Sequence, residues 1–496
     1  MEQNPAVLSL DLGTQGTKAA LVRLDGSLID SAFSRNRFYD EPGGAILLDA
    51  DALLDGVADA TAALLARNPD AEILGVGTVG MMAGIVGIDK DWTPVTHYDS
   101  GLDKRCETAV ARMQAIGNDE TVAICGSPII VAQGAKLFWW MTEQPEAFAR
   151  TAKFVPASTF VCGAMAGLRA DEAYLDVTHI HLTCLADTAR GVWSEQLLRL
   201  FGFPREKLPE IISPCQIIGR VTPAWSARTG LRAGTPIIAG CGDTAASALG
   251  AGLVRDGTIL DVAGTASCLL ACTSEYRPDV ERKILIQQRS VIPGLWNPFG
   301  FVLGGQTLSW YLQQVRPEGG FAALAAKARS VATDGLYFVP FFAGRVCPSD
   351  ARFSGSWLGL KFYHAPEHLF RSIMESVAYE YRFYLERLCA LYPGFRVRQI
   401  LTSAGGSRSP EFNQIKADVL AAPVTPILQT DSTHVAAALM TGHALGAYGD
   451  LAAAAERLTR ASCAAPILPD PAAAAAYRPR YDNYQNIIAL LEQFHI

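Results

Sequence analysis

The chain has 496 residues, of which 50% are hydrophobic and 18% are charged, and its formal net charge is −7. This balance excludes a disordered chain, the lack of any Lys/Arg run argues against a nucleic-acid partner, and no apolar run is long enough to cross a membrane. Eleven scattered cysteines and no signal-peptide pattern predict a reduced, cytoplasmic protein, and the length predicts at least two domains.

The first predicted element is a hairpin. Ala6 to Leu10 is typical of a buried strand, residues 11–17 of a polar turn, and Lys18 to Leu24 of a returning strand. A tip rich in Gly and Thr offers backbone N–H groups and hydroxyls to an anion, and Asp11 beside it suits a hydrated Mg²⁺, which prefers few carboxylates. A plain surface hairpin is the commoner outcome for an isolated Gly-Thr pair, and these residues leave both open.

A helix, a strand and a polar loop follow. Ala50 to Leu65 has helical spacing, and Ile73 to Val79 is a buried strand that ends in a glycine-bounded turn. The polar loop before a helix starting near Glu107 contains Asp103 and Arg105, which could hydrogen-bond the hydroxyls of a substrate. Charge pairing at the start of the helix is the alternative.

The second half is predicted to begin at Thr235, with a buried strand, a glycine turn and a helix of small residues. Asp243 stands at that turn with no cation beside it in sequence. Open α/β sheets hold their chemistry at the carboxyl ends of strands, which favours a catalytic role. Asp is also a good helix N-cap, and from this stretch alone the two interpretations are even.

Residues 258–272 repeat the opening pattern of strand, Gly-Thr turn and return strand, with Gly264 and Thr265 at the turn. The repeat suggests two similar domains that grip phosphate from both sides. Farther on, a Gly-Gly turn precedes Ser409, predicted as a helix N-cap, and Pro410, predicted as the first helical residue. Such a turn at a helix N-terminus predicts an anion or nucleotide site.

Two histidine patterns are rejected as metal sites. His364 and His368 spell H-x-x-E-H, but Pro366 between them breaks the helix that the motif needs. His179 and His181 would share a strand face if extended, and two His residues without a partner are usually structural. No P-loop motif is present.

Together these segments resemble the FGGY carbohydrate kinase family, and within it the xylulokinases, over residues 8–491. The most specific match is residues 355–360 followed by residues 368–375. Residues 81–84 depart from the pattern, because Ala83 stands where xylulokinases tend to carry a sugar-contacting His. Residues 344–348 also differ, and the first family signature, around Lys136, fits only in part.

The resemblance implies two ribonuclease H-like α/β domains of the actin/hexokinase ATPase type around a central cleft, here residues 1–234 and 235–496. It implies transfer of the γ-phosphoryl group of ATP, with Mg²⁺, to a terminal hydroxyl of a ketopentose, with xylulose the first choice. Other acceptors (L-xylulose, ribulose or a glycerol-like polyol), a non-catalytic sugar sensor and an actin-like ATPase remain alternatives. A homodimer is the default assembly.

The resemblance also assigns roles to individual residues. Asp243 is the expected general base and a substrate contact, Met82, Asp103 and Arg105 the other substrate contacts, and Asp11 the metal-site residue. The expected nucleotide-binding residues are Gly13, Thr14, Gln15, Thr17, Lys18, Gly264, Thr265, Gly405, Gly406, Ser407 and Asn413.

Overall fold

The computed structural model describes residues 4–41, 45–264, 266–429 and 431–494. The strands are β1 Asn4–Gly13, β2 Gly16–Val22, β3 Leu28–Arg35, β4 Tyr39–Glu41, β5 Ala45–Leu48, β6 Ala71–Gly80, β7 Val86–Ile88, β8 Tyr98–Asp99, β9 Lys153–Val155, β10 Tyr174–Asp176, β11 Ala186–Asp187, β12 Val192–Trp193, β13 Glu210–Ile212, β14 Ile217–Arg220, β15 Pro236–Ile238, β16 Cys241–Gly242, β17 Thr258–Ala263, β18 Ser267–Ala271, β19 Ile286–Arg289, β20 Trp296–Val302, β21 Tyr337–Val339, β22 Ser356–Leu358, β23 Gln399–Ser403 and β24 Val424–Pro426. The helices are α1 Ala50–Arg67, α2 Glu107–Cys125, α3 Gln133–Glu143, α4 Pro145–Arg150, α5 Ala157–Ala166, α6 Glu195–Phe201, α7 Pro223–Thr229, α8 Asp243–Gly250, α9 Gly304–Val315, α10 Gly320–Arg329, α11 Pro366–Leu391, α12 Pro410–Leu420, α13 Ser432–Ala444, α14 Leu451–Ala461 and α15 Pro471–Phe494.

The chain divides into two compact units. Unit 1 comprises residues 1–252, 287–295 and 431–458, and unit 2 comprises residues 253–286, 296–430 and 459–496. This division differs from the boundary predicted between residues 234 and 235. The physical reason is strand pairing, because β15 and β16 both lie parallel to β6 of unit 1. Asp243, which follows β16, therefore belongs to unit 1.

The main sheet of unit 1 has the order β14-β15-β6-β1-β2-β3, with β16 also paired to β6. β1 runs antiparallel to β2 and parallel to β6. Alternate side chains of β1 enter two different apolar clusters: Leu8 and Leu10 join residues of α1, whereas Val7 joins Ala438 of α13. Because successive side chains of a strand point to opposite faces, both faces of β1 are covered by helix, and its sequence is accordingly a near-continuous apolar run.

Unit 2 repeats this topology. Its sheet contains the run β20-β18-β17-β23-β24, in which β17 is antiparallel to β18 and parallel to β23. The pairing around β17 thus matches the pairing around β1, as the repeat of the two hairpins predicted. α11 begins at Pro366, where proline is tolerated because its missing N–H would have no partner.

The local prediction at the start of α12 was confirmed. Ser409 is the N-cap of α12, its hydroxyl accepting from the N–H of Phe412 at 3.2 Å, and Pro410 is the first helical residue. Residues 180–182 form a 3₁₀ turn, so His179 and His181 do not have the extended conformation that would place them on one strand face. Among the described residues, no helix combines the length and apolar character needed to cross a membrane.

Candidate active site

Asp243 is the first residue of α8, belongs to unit 1 and is half-buried. Gly242, which precedes it, occupies the N-cap position and pairs with Gly80 of β6, so Asp243 is not the helix cap. Its carboxylate accepts a hydrogen bond from the Thr244 hydroxyl at 3.2 Å. Burial raises the pKa of Asp243 above the ordinary value of 3.8. No Lys or Arg among the described residues pairs with this carboxylate, which leaves it able to accept a proton.

Small residues in α8 permit the close packing that the sequence predicted. A Cβ placed on Gly250 would lie 1.9 Å from the carbonyl oxygen of Ser432, at the start of α13. A Cβ on Gly242 would lie 2.8 Å from Sδ of Met82. Glycine at position 242 thus lets Met82 approach the residue before Asp243, and glycine at position 250 lets the end of α8 pack closely on the start of α13.

Asp11 lies near the end of β1, opposite Lys18 of β2. One of its oxygens accepts a hydrogen bond from the Thr433 hydroxyl at 2.9 Å. Burial, and to a smaller degree the charge of Asp243, raise the pKa of Asp11 to about 6, although the hydrogen bond from Thr433 opposes that rise. The structure therefore brings together the expected general base and the expected metal-site residue. Sequence reasoning missed Thr433, because it lies more than 400 residues from Asp11 in the chain.

The tip of the β1–β2 hairpin is held by Asn36, which sequence reasoning also missed. Its side-chain amide donates to the carbonyl of Gly13 at 2.9 Å, and its backbone N–H donates to that of Gln15 at 3.0 Å. Thr14 and Gln15 are exposed at this tip, and Lys18 forms an ion pair with Asp431 at 2.6 Å. Thr17 lies apart from them, since its side chain is buried toward α1.

The loop predicted to contact sugar contains a compact ion-pair cluster. The Arg105 guanidinium lies 2.6 Å from the Asp99 carboxylate and 2.8 Å from that of Asp103, and it stacks 4.6 Å from the Trp139 ring centroid. Burial raises the pKa of Asp99 to about 6, although Lys136 and Arg105 oppose that rise. Asp103 and Arg105 therefore bind each other, as the charge-pairing alternative anticipated. Arg105 keeps its side chain 18% exposed.

The turn of residues 81–84 lies between this loop and Asp243. Ala83 has a positive φ of 66°, and a Cβ placed on Gly84 would lie 2.0 Å from the Tyr98 hydroxyl oxygen. The carbonyl of Gly84 also accepts a hydrogen bond from the side chain of Gln133 at 3.5 Å. Tyr98 and Gln133 were not identified from the sequence, because neither belongs to a recognisable motif.

A buried Asp–His pair borders the same site. Asp176 accepts a hydrogen bond from Nδ1 of His179 at 2.6 Å, so the expectation that His179 has no partner was wrong. The Thr178 hydroxyl donates to Asp176 and accepts from the backbone N–H of Gly242 at 2.9 Å. A carboxylate three residues before a histidine was the signal that could have found this pair.

Unit 2 contains a cleft of about 400 Å³ at the end of β17. Its lining residues are Ala263, Gly264, Ser267, Gly305, Leu308, Ser309, Leu312, Phe321, Gly405, Gly406 and Phe412. Three of the expected nucleotide-binding residues, Gly264, Gly405 and Gly406, thus share one cleft. Thr265, the fourth position expected nearby, lies outside the described residues.

The Gly-Gly turn is shaped by packing beneath it. A Cβ on Gly406 would lie 2.7 Å from Cβ of Ala263, so only glycine fits there without displacement, whereas Gly405 has open space. Asn413 is buried and donates to the carbonyl of Ser407 at 2.7 Å, so it supports the turn from behind.

His364 and His368 do not both lie on α11. α11 begins at Pro366, so His364 precedes the helix. No group of three or more His, Cys, Asp or Glu residues in the described part of the chain is placed to hold a metal ion.

Models of a known protein family match both halves of the chain. The model of the FGGY carbohydrate kinase N-terminal domain matches residues 6–250, and that of the C-terminal domain matches residues 261–445. The chain belongs to the FGGY family of carbohydrate kinases. It is therefore a phosphotransferase with an alcohol group as acceptor, and it has the two-domain fold of that family.

Several FGGY kinases are similar over most of the chain. A xylulose kinase of Bacillus subtilis (strain 168) is 25% identical over 97% of this chain and 96% of its own length. A gluconokinase of Bacillus licheniformis is 23% identical over 89% of this chain and 88% of its own length. The crystal structure of a xylulose kinase from Rhodospirillum rubrum superposes with a TM-score of 0.89, covering 99% of both chains at 28% identity. Relatives with different names are similar to nearly the same degree, so identity alone does not select an acceptor.

Proposed function

We propose that this FGGY kinase transfers the γ-phosphoryl group of ATP to the terminal hydroxyl of xylulose, giving xylulose 5-phosphate. The observation that carries the proposal is the half-buried Asp243 carboxylate, unpaired with any described cation and beside Asp11. Two xylulose kinases among the similar proteins support the choice of acceptor.

In the proposed reaction Asp243 accepts the proton of the acceptor hydroxyl. The hydroxyl oxygen forms a bond to the γ-phosphorus, and the bond from that phosphorus to the β–γ bridging oxygen breaks. The electron pair of the broken bond leaves with ADP. Burial favours the protonated form of Asp243, so its raised pKa makes it a stronger base than an exposed aspartate.

The residues around Asp11 fit a hydrated Mg²⁺. Only one Asp11 oxygen is engaged by a described residue, Thr433, which leaves the other for a metal-bound water. Mg²⁺ neutralises charge on the transferring phosphates when it is bound. The exposed tip at Thr14 and Gln15 would contact the phosphates, and the unit 2 cleft beside Gly405 and Gly406 would hold the adenosine.

A neutral acceptor is favoured over a sugar acid. Arg105 is already paired with Asp99 and Asp103, and the Lys136 ammonium donates to the backbone carbonyls of residues 99 and 100. Binding a carboxylate in a buried site requires a cation that is not committed elsewhere. Arg105 or Lys136 would have to break these contacts before it could bind a sugar carboxylate, whereas a neutral ketopentose needs no such cation.

An ADP-release assay with a panel of ketopentoses, aldoses, polyols and gluconate tests the proposal. We expect release that depends on acceptor and is fastest with xylulose. In Asp243→Asn, turnover should fall by about 10²- to 10⁴-fold while ATP binding, measured by calorimetry, persists. Asp171→Asn, at an exposed position, is the matched control.

Three results would overturn the proposal. ADP release without acceptor would indicate an ATPase, and binding of sugar without turnover would indicate a sensor. Turnover of Asp243→Asn within a few-fold of the parent would remove Asp243 as the base.

A further inference from the structure

The ring of His179 has one polar atom that the hydrogen bonds of the fold leave unused. The side chain is 0% exposed, and Nδ1 is held by Asp176 at 2.6 Å. Nε2, on the opposite edge of the ring, is buried and has no hydrogen-bond partner among the described residues. Buried polar atoms without partners are uncommon in folded proteins, and leaving one costs free energy that a ligand can recover.

Asp176 fixes the orientation of this ring. One carboxylate oxygen accepts from His179, and the other accepts from the backbone N–H of Thr178 at 2.9 Å and from its hydroxyl. Burial opposes a charge on the ring, but the charge of Asp176 and its hydrogen bond raise the pKa of His179 above its usual value. Nδ1 is thus the atom committed to the fold, and Nε2 is left as a donor directed away from Asp176.

Thr178 connects this ring to Asp243. Its hydroxyl accepts from the N–H of Gly242, the residue before Asp243. Its carbonyl accepts from the side-chain amide of Gln288 at 3.2 Å, and that amide also lies 3.8 Å from Sδ of Met82. The four segments that contain Met82, Thr178, Gly242 and Gln288 therefore meet in one place within unit 1.

Gln288 supplies a second unused polar atom at this place. It is 0% exposed, and its Oε1 is buried without a hydrogen-bond partner in the described part of the chain. A donor on His179 and an acceptor on Gln288 match one hydroxyl group, which can accept and donate at the same time.

We propose that His179 and Gln288 bind the acceptor hydroxyl on the carbon next to the one that is phosphorylated, and thereby select acceptors that carry it. The inference rests on the proposed function, because it concerns the acceptor whose terminal hydroxyl Asp243 deprotonates. An acceptor without that hydroxyl would leave both buried atoms unpaired, which a site built for hydrogen bonds rejects strongly.

His181 provides a matched control. It lies in the same 3₁₀ turn and is equally buried, and burial lowers its pKa to about 3. It is a buried neutral side chain of the same turn, so its replacement measures how far a disturbance of this turn changes the preference between acceptors.

The test compares kcat/KM for xylulose and 4-deoxyxylulose in the parent and four variants. His179→Asn keeps a donor where Nδ1 faces Asp176 and removes Nε2, whereas His179→Gln places a donor near Nε2. Gln288→Met keeps the side-chain length and removes Oε1, and His181→Asn is the control. Circular dichroism and Tm establish which variants fold.

In the parent, the ratio of kcat/KM for xylulose to kcat/KM for 4-deoxyxylulose should be about 100. In His179→Asn and Gln288→Met that ratio should fall below about fivefold, through loss of activity on xylulose alone. His179→Gln should recover part of the ratio, and His181→Asn should keep it. If His179→Asn is unfolded, the ratio in Gln288→Met decides.

An equal loss on both acceptors in the folded variants, or a parent that does not distinguish the two acceptors, would overturn the inference. Failure of the proposed function is recognised separately, because the parent would then phosphorylate neither compound.

Discussion

Asp11 in unit 1 and Asp261 in unit 2 occupy equivalent positions in equivalent hairpins. Each lies two residues before the pair that closes its hairpin, Gly13 with Gly16 in one and Ala263 with Ser267 in the other. Each strand is flanked by an antiparallel partner and a parallel one. Their surroundings nevertheless give the two carboxylates opposite properties.

Both carboxylate oxygens of Asp261 are bound by neighbouring side chains. Tyr381 donates to one oxygen at 2.5 Å, Thr402 donates to the other at 2.7 Å, and the ammonium of Lys416, itself 1% exposed, binds the same oxygen. Asp11 accepts one hydrogen bond, from Thr433, and its pKa is raised to about 6 by burial. The comparison teaches that a buried carboxylate stabilises a fold when its partners satisfy it, and is available for chemistry when they do not.

Replacing Asp261 should have the largest effect on stability. Asp261→Asn leaves Lys416 buried without its counter-charge, and we expect the free energy of unfolding to fall by about 3–5 kcal/mol. Urea unfolding of the variant and of Asp171→Asn, an exposed control, measures the difference. A loss below about 1 kcal/mol would contradict the assignment of Asp261 to the fold.

Replacing Asp11 should have the opposite effect on stability. A buried carboxyl with a raised pKa stabilises the folded state when protonated, and this contribution is lost as pH rises through about 6. Asp11→Asn should therefore raise the free energy of unfolding at pH 8 by about 1–3 kcal/mol, and change it little at pH 4.

The same Asp11→Asn variant should lose activity, with kcat/KM about 10- to 100-fold lower and a higher Mg²⁺ requirement. Stability and turnover measured on one preparation check both parts. A variant that loses stability at pH 8 as well as activity would show that Asp11 supports the fold, as Asp261 does.

Replacing a glycine in each of the two segments proposed to bind ATP should change stability by smaller and unequal amounts. Gly16→Ala places a Cβ 2.2 Å from the carbonyl oxygen of Ser34, and we expect a loss of about 1–3 kcal/mol in the free energy of unfolding. Gly405→Ala meets nothing within 4 Å, and its loss should stay below about 0.5 kcal/mol. Thermal unfolding of the two variants side by side tests this, and equal losses would refute the packing of the first hairpin.

The pH dependence of turnover should be the smallest of these effects. Because burial raises the pKa of Asp243, the proposed base is protonated and inactive over a wider acidic range than an ordinary aspartate. The midpoint on the acid side of the kcat/KM profile should lie above 3.8, with a tenfold decline per pH unit below it. Far-UV circular dichroism over the same range separates titration from unfolding, and a midpoint at or below 3.8 would contradict the burial of the base.

The sequence predicted the features that depend on neighbouring residues. The two hairpins, the helix cap at Ser409 and the strand–turn–helix around Asp243 follow from alternation, glycine and capping preferences, which act over a few residues. The resemblance to a family then assigned Asp243, Asp11 and the Gly-Gly turn to their roles, and the structure places Asp243 beside Asp11.

What the sequence alone determined about this protein is therefore its elements and its reaction class. Only the tertiary structure decided which carboxylate is fully bound by its neighbours and which is available for chemistry. Lys416 lies 155 residues from Asp261 in the chain, and Thr433 lies 422 residues from Asp11. The same holds for Gln288, which meets Thr178 across 110 residues. Hydrogen bonds between distant segments leave no periodicity or local motif in the chain, and the charge of a buried group depends on those bonds.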